Sequence, residues 1–115
     1  MKLMTKKIRD KLPPLRAQEN LGQAAVAYVK YFTPDGNWTW YATEFDGDDT
    51  FFGLVDGLEK ELGYFSLAEL ASARGPLGLA IERDLYWQPK TLEEMAPELF
   101  PPVEPAEQPT CPPVP

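Results

Sequence analysis

The chain has 115 residues, 43% of them hydrophobic and 12% aromatic, and a formal net charge of −7. This length suits one domain, and this composition is sufficient for a packed core. The sequence contains no histidine and one cysteine, Cys111. Serine–histidine and cysteine–histidine catalysis, histidine-ligated zinc and an internal disulfide are therefore excluded. The acidic balance also disfavours a uniformly basic nucleic-acid-binding protein.

Charge and proline are unevenly distributed along the sequence. Residues 1–16 contain six basic side chains and one acidic one, residues 44–61 seven acidic and one basic, and residues 91–115 five acidic and no basic. Eight of the nineteen residues from Pro97 to Pro115 are proline, a composition that favours extended polyproline conformers over a packed core. We therefore predict one domain over residues 1–95 and a disordered, proline-rich, acidic tail over residues 96–115.

The N-terminal segment predicts a short helix. Thr5 is a suitable N-cap for KKIRDKL, and Pro13 ends the helix. Ile8 and Leu12 are spaced to face the core together. The opening MKLMTKKIRDKLPPL lacks the continuous apolar stretch of a signal peptide, and no segment reaches the roughly 18 apolar residues of a membrane span. We therefore expect a cytoplasmic protein with no membrane association.

The next two predicted elements form a β-hairpin. Residues 24–32 and 37–45 are rich in β-branched and aromatic side chains, and TPDG between them is a typical turn sequence. Side chains alternate between the faces of a strand, so Trp38 and Trp40 are expected on one face and Tyr41 on the other.

Short strands and helices are predicted after the hairpin. TFFGLV indicates a third strand, DGLEKELG a turn, YFSL a short fourth strand and RGPLGL a loop, while AIERDLYW fits strand and helix alike. Ser66 with Glu69, and Thr91 with Glu94, are capping boxes that begin short helices. The predicted fold class is α+β: a small antiparallel sheet of three to five strands around a central β-hairpin, with short flanking helices.

Long motifs in the sequence resemble a known family. The run FTPDGNWTWYATEFDGDDTFFGLVDGLEKELGYFSLAEL, followed by RGPLGLAIERDLYW, is similar to small bacterial proteins with a domain of unknown function, encoded on plasmids and integrative conjugative elements. The resemblance covers residues 1–95. It implies a cytoplasmic accessory of mobile DNA and supplies no catalytic residues. Some members have been labelled single-stranded-DNA endonucleases, which makes that activity a hypothesis to test.

The acidic run EFDGDDTFFG allows three interpretations. Glu44, Asp46 and Asp48 alternate like the early ligands of a calcium loop, but such a loop requires glycine where Asp49 stands and glutamate where Val55 stands. A looser magnesium or manganese site formed by the first three carboxylates is the first interpretation. A solvated turn, which Asp and Gly favour, is the second, and an acidic docking surface is the third.

Basic and aromatic side chains, with one acidic residue, are candidates for a binding surface. The candidate residues are Trp38, Trp40, Tyr41, Lys6, Lys7, Arg9, Asp49 and Arg83. On a small sheet the aromatic rings would stack with single-stranded bases and the basic groups would contact phosphate. The same rings also suit the core of a small domain, and the acidic loops would repel phosphate. Alternatively, the net charge of −6 over residues 44–61 could imitate DNA phosphates in a basic groove of another protein.

Two functions follow from these alternatives. The first is an accessory protein of bacterial mobile DNA, not an enzyme and with no required cofactor. It binds a host or element-encoded protein or single-stranded nucleic acid, and inhibition of host defence nucleases is one form of this function. The second is a single-stranded-DNA endonuclease in which Glu44, Asp46 and Asp48 hold Mg²⁺ or Mn²⁺, and Arg83 or Lys30 stabilises the phosphate.

Overall fold

The structure, a computed structural model, describes residues 2–100. Its strands are β1 (Val26–Ala27), β2 (Val29–Phe32), β3 (Thr39–Phe45), β4 (Thr50–Asp56), β5 (Lys60–Ser66), β6 (Glu82–Arg83) and β7 (Lys90–Thr91). Its helices are α1 (Lys6–Lys11), α2 (Leu67–Ser72) and α3 (Leu92–Met95), with 3-10 helices at Glu19–Ala24 and Pro97–Leu99. Five strands form one antiparallel sheet in the order β5-β4-β3-β2-β6, and β1 pairs with β7. The α+β prediction is confirmed.

The central hairpin forms where the sequence predicts it. Strands β2 and β3 pair from Val29↔Ala42 to Phe32↔Thr39. The Thr33 amide donates to the Trp38 carbonyl at 3.0 Å and closes the TPDG turn. The first predicted strand, 24–32, is divided in two at Tyr28, so that its beginning pairs with β7 instead of β3.

The prediction of a turn over DGLEKELG is wrong for most of these residues, which belong to strands. Only residues 57–59 form the connection, closed by a bond of 3.2 Å from the Gly57 amide to the Glu59 carbonyl. Strand β5 begins at Lys60 and pairs with β4 along all seven of its residues. β5 is an edge strand, where charged side chains stay in water and strand pairing is still satisfied on one side. Lys60 and Glu61 of the predicted turn therefore belong to a strand.

Two hydrophobic clusters cover the two faces of the five-stranded sheet. The first face packs against α1 and α2, with Tyr31, Ala42 and Phe51 completely buried. The second face packs against α3 and the chain around Ala25, with Leu54 completely buried. A β-bulge between Ala42 and Glu44 shifts the alternation of β3 by one residue. The bulge therefore turns Glu44 towards the second face.

The ends of the described chain pack against this body. The Thr5 hydroxyl accepts from the Ile8 amide at 3.2 Å and caps α1, as predicted. At the other end Ala96 is buried, and Leu99 and Phe100 pack on the second cluster, so the first residues of the predicted tail are packed. Residues 101–115, with Cys111, lie outside the described part. Between residues 2 and 100 we find no helix with the length and apolarity needed to cross a bilayer.

Candidate functional site

Asp46 organises the acidic turn through the backbone. Its Oδ1 accepts from the amides of Asp48 at 2.8 Å, Asp49 at 2.8 Å and Thr50 at 3.1 Å. These bonds stabilise the ionised carboxylate, and the amides of Asp48 and Asp49 are the main reasons why the pKa of Asp46 is lowered. These contacts are those of a solvated turn.

Glu44 lies apart from that turn, buried to 4% exposure on the second face of the sheet. One of its carboxylate oxygens accepts from the Arg16 amide at 2.7 Å and the other from the Gln18 amide at 2.8 Å. The Gln18 side chain is also buried and bonds to the backbone of Val26 and Thr43. Glu44 therefore fixes the segment before the first 3-10 helix against the sheet.

The three predicted metal ligands do not come together. Glu44 points to the second face because of the bulge, Asp46 points into its own turn, and Asp48 is exposed. Within residues 2–100, no group of three acidic or cysteine side chains is close enough to hold a metal ion. The geometry therefore gives no support to a shared site for these three carboxylates.

Asp49, predicted as a surface candidate, contacts the beginning of α2. Its carboxylate accepts from the Ser66 hydroxyl at 2.6 Å and from the Ala68 amide at 2.8 Å, and its carbonyl accepts from the Leu67 amide at 2.8 Å. Of the capping box predicted for Ser66 and Glu69, the Ser66 half is present, since its hydroxyl accepts from the Glu69 amide at 3.2 Å. The contribution of Asp49 was missed because it depends on the Thr50↔Ser66 pairing of β4 and β5.

The two predicted tryptophans stack on each other, with ring centroids 6.0 Å apart. Trp38 is 41% exposed, whereas Trp40 is half-buried against the first cluster. The Trp38 ring lies so close over Gly57 that a Cβ there would overlap it. Tyr41 lies on the other face with Trp87, at 5.4 Å between centroids, as the alternation predicts.

The basic candidates lie on α1 and in β6. Lys6, Lys7 and Arg9 are exposed on α1, and Lys6 pairs with Asp10 at 3.3 Å. Lys7 lines a hollow of about 220 Å³ together with Arg83, whose guanidinium donates to the Lys2 carbonyl at 2.6 Å. Trp38 does not line that hollow. Lys7 and Arg83 therefore share one hollow, and Trp38 lines others.

Two exposed apolar side chains lie at the tips of the two hairpins. We call them the end surface: Trp38, just before β3, is 41% exposed, and Leu58, between β4 and β5, is 94% exposed. They line one hollow of about 370 Å³, together with Glu59 and Glu61. Leu62 and Tyr64 of β5 point to the second face of the sheet instead, since they pair with Leu54 and Phe52. Trp38 and Leu58 also line a second hollow of about 730 Å³ that extends to Arg74–Pro76. Leu58 was missed by sequence reasoning because its position beside Trp38 depends on how the two hairpins lie next to each other in the sheet.

The loop that borders the second hollow is held by Asp35 of the TPDG turn. The Asp35 carboxylate accepts from the amides of Leu77 at 2.7 Å and Leu79 at 3.3 Å. A Cβ at Gly75 would overlap this carboxylate, so glycine allows the close approach. The tip of the central hairpin and the 75–79 loop therefore form one joined unit beside the end surface.

Comparison with known proteins identifies the family of the chain. A family model described as "Protein of unknown function (DUF2958)" matches residues 3–96, and the chain belongs to this family. The predicted resemblance to a domain of unknown function is thereby confirmed. No curated protein and no solved structure matches the chain.

Proposed function

We propose that this DUF2958 protein is an accessory of bacterial mobile DNA that acts by binding another protein through its end surface. The observation that supports the proposal is the exposure of two large apolar side chains, Trp38 and Leu58, beside two adjoining hollows, with Leu58 almost fully in water at 94%. Grouped apolar side chains on a small domain are typical of interaction sites. The role in mobile DNA comes from the family resemblance of the sequence.

The charges beside the end surface favour a protein partner over nucleic acid. Glu59 and Glu61 line the same hollow as Trp38 and Leu58, and would repel a phosphate backbone. The partner that fits has apolar side chains for the hollows and basic groups opposite the two glutamates. A basic groove of a host defence nuclease would meet both requirements.

The alternative function, a metal-dependent single-strand endonuclease, stays a prediction. Both carboxylate oxygens of Glu44 bond to backbone amides, and Asp46 accepts three such bonds within its turn. Glu44 and Asp46 make these bonds in separate places, within residues 2–100 no three acidic side chains converge on one point, and no observed contact favours the nuclease.

Site-specific photo-cross-linking in the native bacterium tests the proposal. A benzoylphenylalanine residue replaces Leu58 in one variant and Leu85, a leucine 59% exposed outside the end surface, in the control. We expect a discrete adduct from position 58 that protease removes and nuclease does not. Adducts of equal yield from both positions, or an adduct at 58 that nuclease removes, would contradict a protein partner at the end surface.

A further inference from the structure

A cavity of about 180 Å³ lies on the second face of the sheet, beneath the segment that contains Arg16 and Gln18. Its apolar walls are Phe52, Leu62 and Leu92, with Tyr64 at the edge strand. The Glu44 side chain also lines it. Drug-sized ligands occupy pockets of about 300–1,000 Å³, so this cavity fits only a short chain or the end of a side chain.

The charge of Glu44 has no cationic partner within residues 2–100. Its two hydrogen bonds are to neutral backbone amides. Arg16 lines the cavity, but its guanidinium is bonded to Glu19 at 2.9 Å and its side chain is 78% exposed. A buried carboxylate loses hydration, and an opposite charge is what normally offsets that loss. Each carboxylate oxygen also has a further lone pair to offer a donor.

Two aromatic rings line the same cavity. The centroids of Phe52 and Tyr64 lie 5.0 Å apart in an edge-to-face arrangement. The faces of such rings attract cations, most strongly where water is excluded. Leu62 and Leu92 supply apolar contacts for a methylene chain. A buried anion, aromatic faces and aliphatic walls together are the chemistry that recognises an alkylammonium ion.

We propose that the Glu44 cavity binds a primary alkylammonium group, with the ammonium at the Glu44 carboxylate and the alkyl chain between Leu62 and Leu92. This site goes beyond the proposed function and does not depend on it. The ammonium would come from a free small amine or from a lysine side chain of a bound protein.

Titration with butylammonium chloride, followed by amide chemical shifts in NMR spectra, tests the site. We expect saturable shifts at Arg16, Gln18 and Tyr64, and binding at least about tenfold weaker for butanol, which has the same chain without the charge. Equal binding of the two compounds, or no saturable shift near the cavity, would overturn the proposal. Sodium chloride at matched concentration corrects for ionic strength.

Two variants assign the binding to the cavity. Glu44→Gln should abolish saturable binding, whereas Glu61→Gln, the same charge change outside the cavity, should leave it unchanged. If Glu44→Gln does not fold, Tyr64→Ala replaces it, since this side chain is 65% exposed. Loss of one cation–π contact of about 1 kcal/mol should weaken butylammonium binding about fivefold. Unchanged affinity in a folded Glu44→Gln or Tyr64→Ala protein would contradict the site.

A further titration distinguishes the sources of the ammonium. Nα-acetyl-lysine N-methylamide presents the same group on a peptide backbone. Binding comparable to butylammonium identifies a lysine side chain as an acceptable ligand, and binding of the free amine alone restricts the site to small amines. Both results support an ammonium site, and failure of both ligands overturns it. Since neither titration requires the protein partner, failure here leaves the end-surface proposal standing.

Discussion

Three carboxylates of one short acidic run have different environments in the folded protein. Glu44 is buried against the backbone of Arg16 and Gln18, Asp46 accepts bonds within its turn, and Asp49 contacts the beginning of α2. The sequence predicts the turn, because the contacts of Asp46 are local. It could not predict the environments of Glu44 and Asp49, whose contacts join residues far apart in the chain.

The contacts of Asp46 predict an acid-dependent stability effect. Because its pKa is lowered in the fold, the carboxylate stabilises the protein at neutral pH and this stabilisation is lost as the pH falls through the folded pKa. Asp46→Ala should therefore lower the melting temperature at pH 7. The difference in melting temperature between the variant and the unmodified protein should become smaller below pH 3.8, the ordinary pKa of an aspartate. Asp48→Ala, which removes an exposed side chain of the same run, should change little. Equal effects of the two substitutions at pH 7 would contradict this assignment.

Tyr31 joins the N-terminal segment to the core of the sheet. The side chain is completely buried, and its hydroxyl donates to the Leu3 carbonyl at 2.6 Å. Tyr31→Phe should reduce the free energy of unfolding by about 1–2 kcal/mol at pH 7 in urea titrations, because a buried carbonyl loses its donor.

The same substitution has a predicted pH dependence. Burial raises the pKa of Tyr31, so the neutral phenol contributes stability that is fully present below its ordinary value of 10.0 and is lost as the pH rises further. The loss in free energy of unfolding caused by Tyr31→Phe should therefore become smaller above pH 10.0. If this loss in free energy of unfolding did not change with pH, the result would contradict the role assigned to the buried hydroxyl.

At the scale of helices and strands, features that depend on neighbouring residues were predicted more accurately than features that depend on contacts between distant residues. The hydroxyls of Thr5, Ser66 and Thr91 each accept a hydrogen bond from a backbone amide at the beginning of a helix. Thr91 also forms the complete capping box that was predicted with Glu94. Strand β5 was not predicted, because its charged and glycine-containing sequence becomes a strand only by pairing with β4. The end surface was missed with it, since Leu58 comes to lie beside Trp38 only through that hairpin.

Two glycines that face each other across β4 and β5 provide a matched test of this packing. A Cβ at Gly53 would overlap the Tyr41 carbonyl oxygen, whereas one at Gly63 has no neighbour within 4 Å. Gly53→Ala should destabilise the protein by about 2–3 kcal/mol, because backbone of β3 must move. Gly63→Ala should be neutral or stabilising by up to about 1 kcal/mol, because alanine restricts the unfolded chain. Similar unfolding free energies for both variants would contradict the register of β4 between β3 and β5.

The loop beside the end surface should depend on Asp35. Asp35→Ala removes the acceptor of the Leu77 and Leu79 amides, so hydrogen exchange at both should accelerate while exchange in β4 stays slow. Since the loop borders the larger hollow of the end surface, the variant should also weaken partner binding. Unchanged exchange at Leu77 and Leu79 would show that other contacts hold the loop.

At the scale of the whole molecule, the basic and acidic segments of the sequence do not form ion pairs with each other within residues 2–100. The four ion pairs within residues 2–100 are Lys6–Asp10, Arg16–Glu19, Lys30–Asp84 and Lys60–Glu98. None of them joins residues 1–16 to residues 44–61. The hydrogen bonds between these segments include the Arg16 amide to the Glu44 carboxylate and the Phe45 amide to the Pro13 carbonyl. Exposed Glu59 and Glu61 therefore remain available beside the end surface for a basic partner.

The central claim is that the end surface binds a protein, and the affinity for the cross-linked partner tests it most directly. The partner identified from position 58 is purified and titrated against the unmodified protein, Leu58→Asp and the control Leu85→Asp. Leu58→Asp should weaken binding by at least about tenfold, because a central apolar contact of a protein interface contributes roughly 1–2 kcal/mol or more. Leu85→Asp should leave the dissociation constant unchanged. Unaltered affinity in Leu58→Asp, or an equal loss in Leu85→Asp, would contradict binding at the end surface.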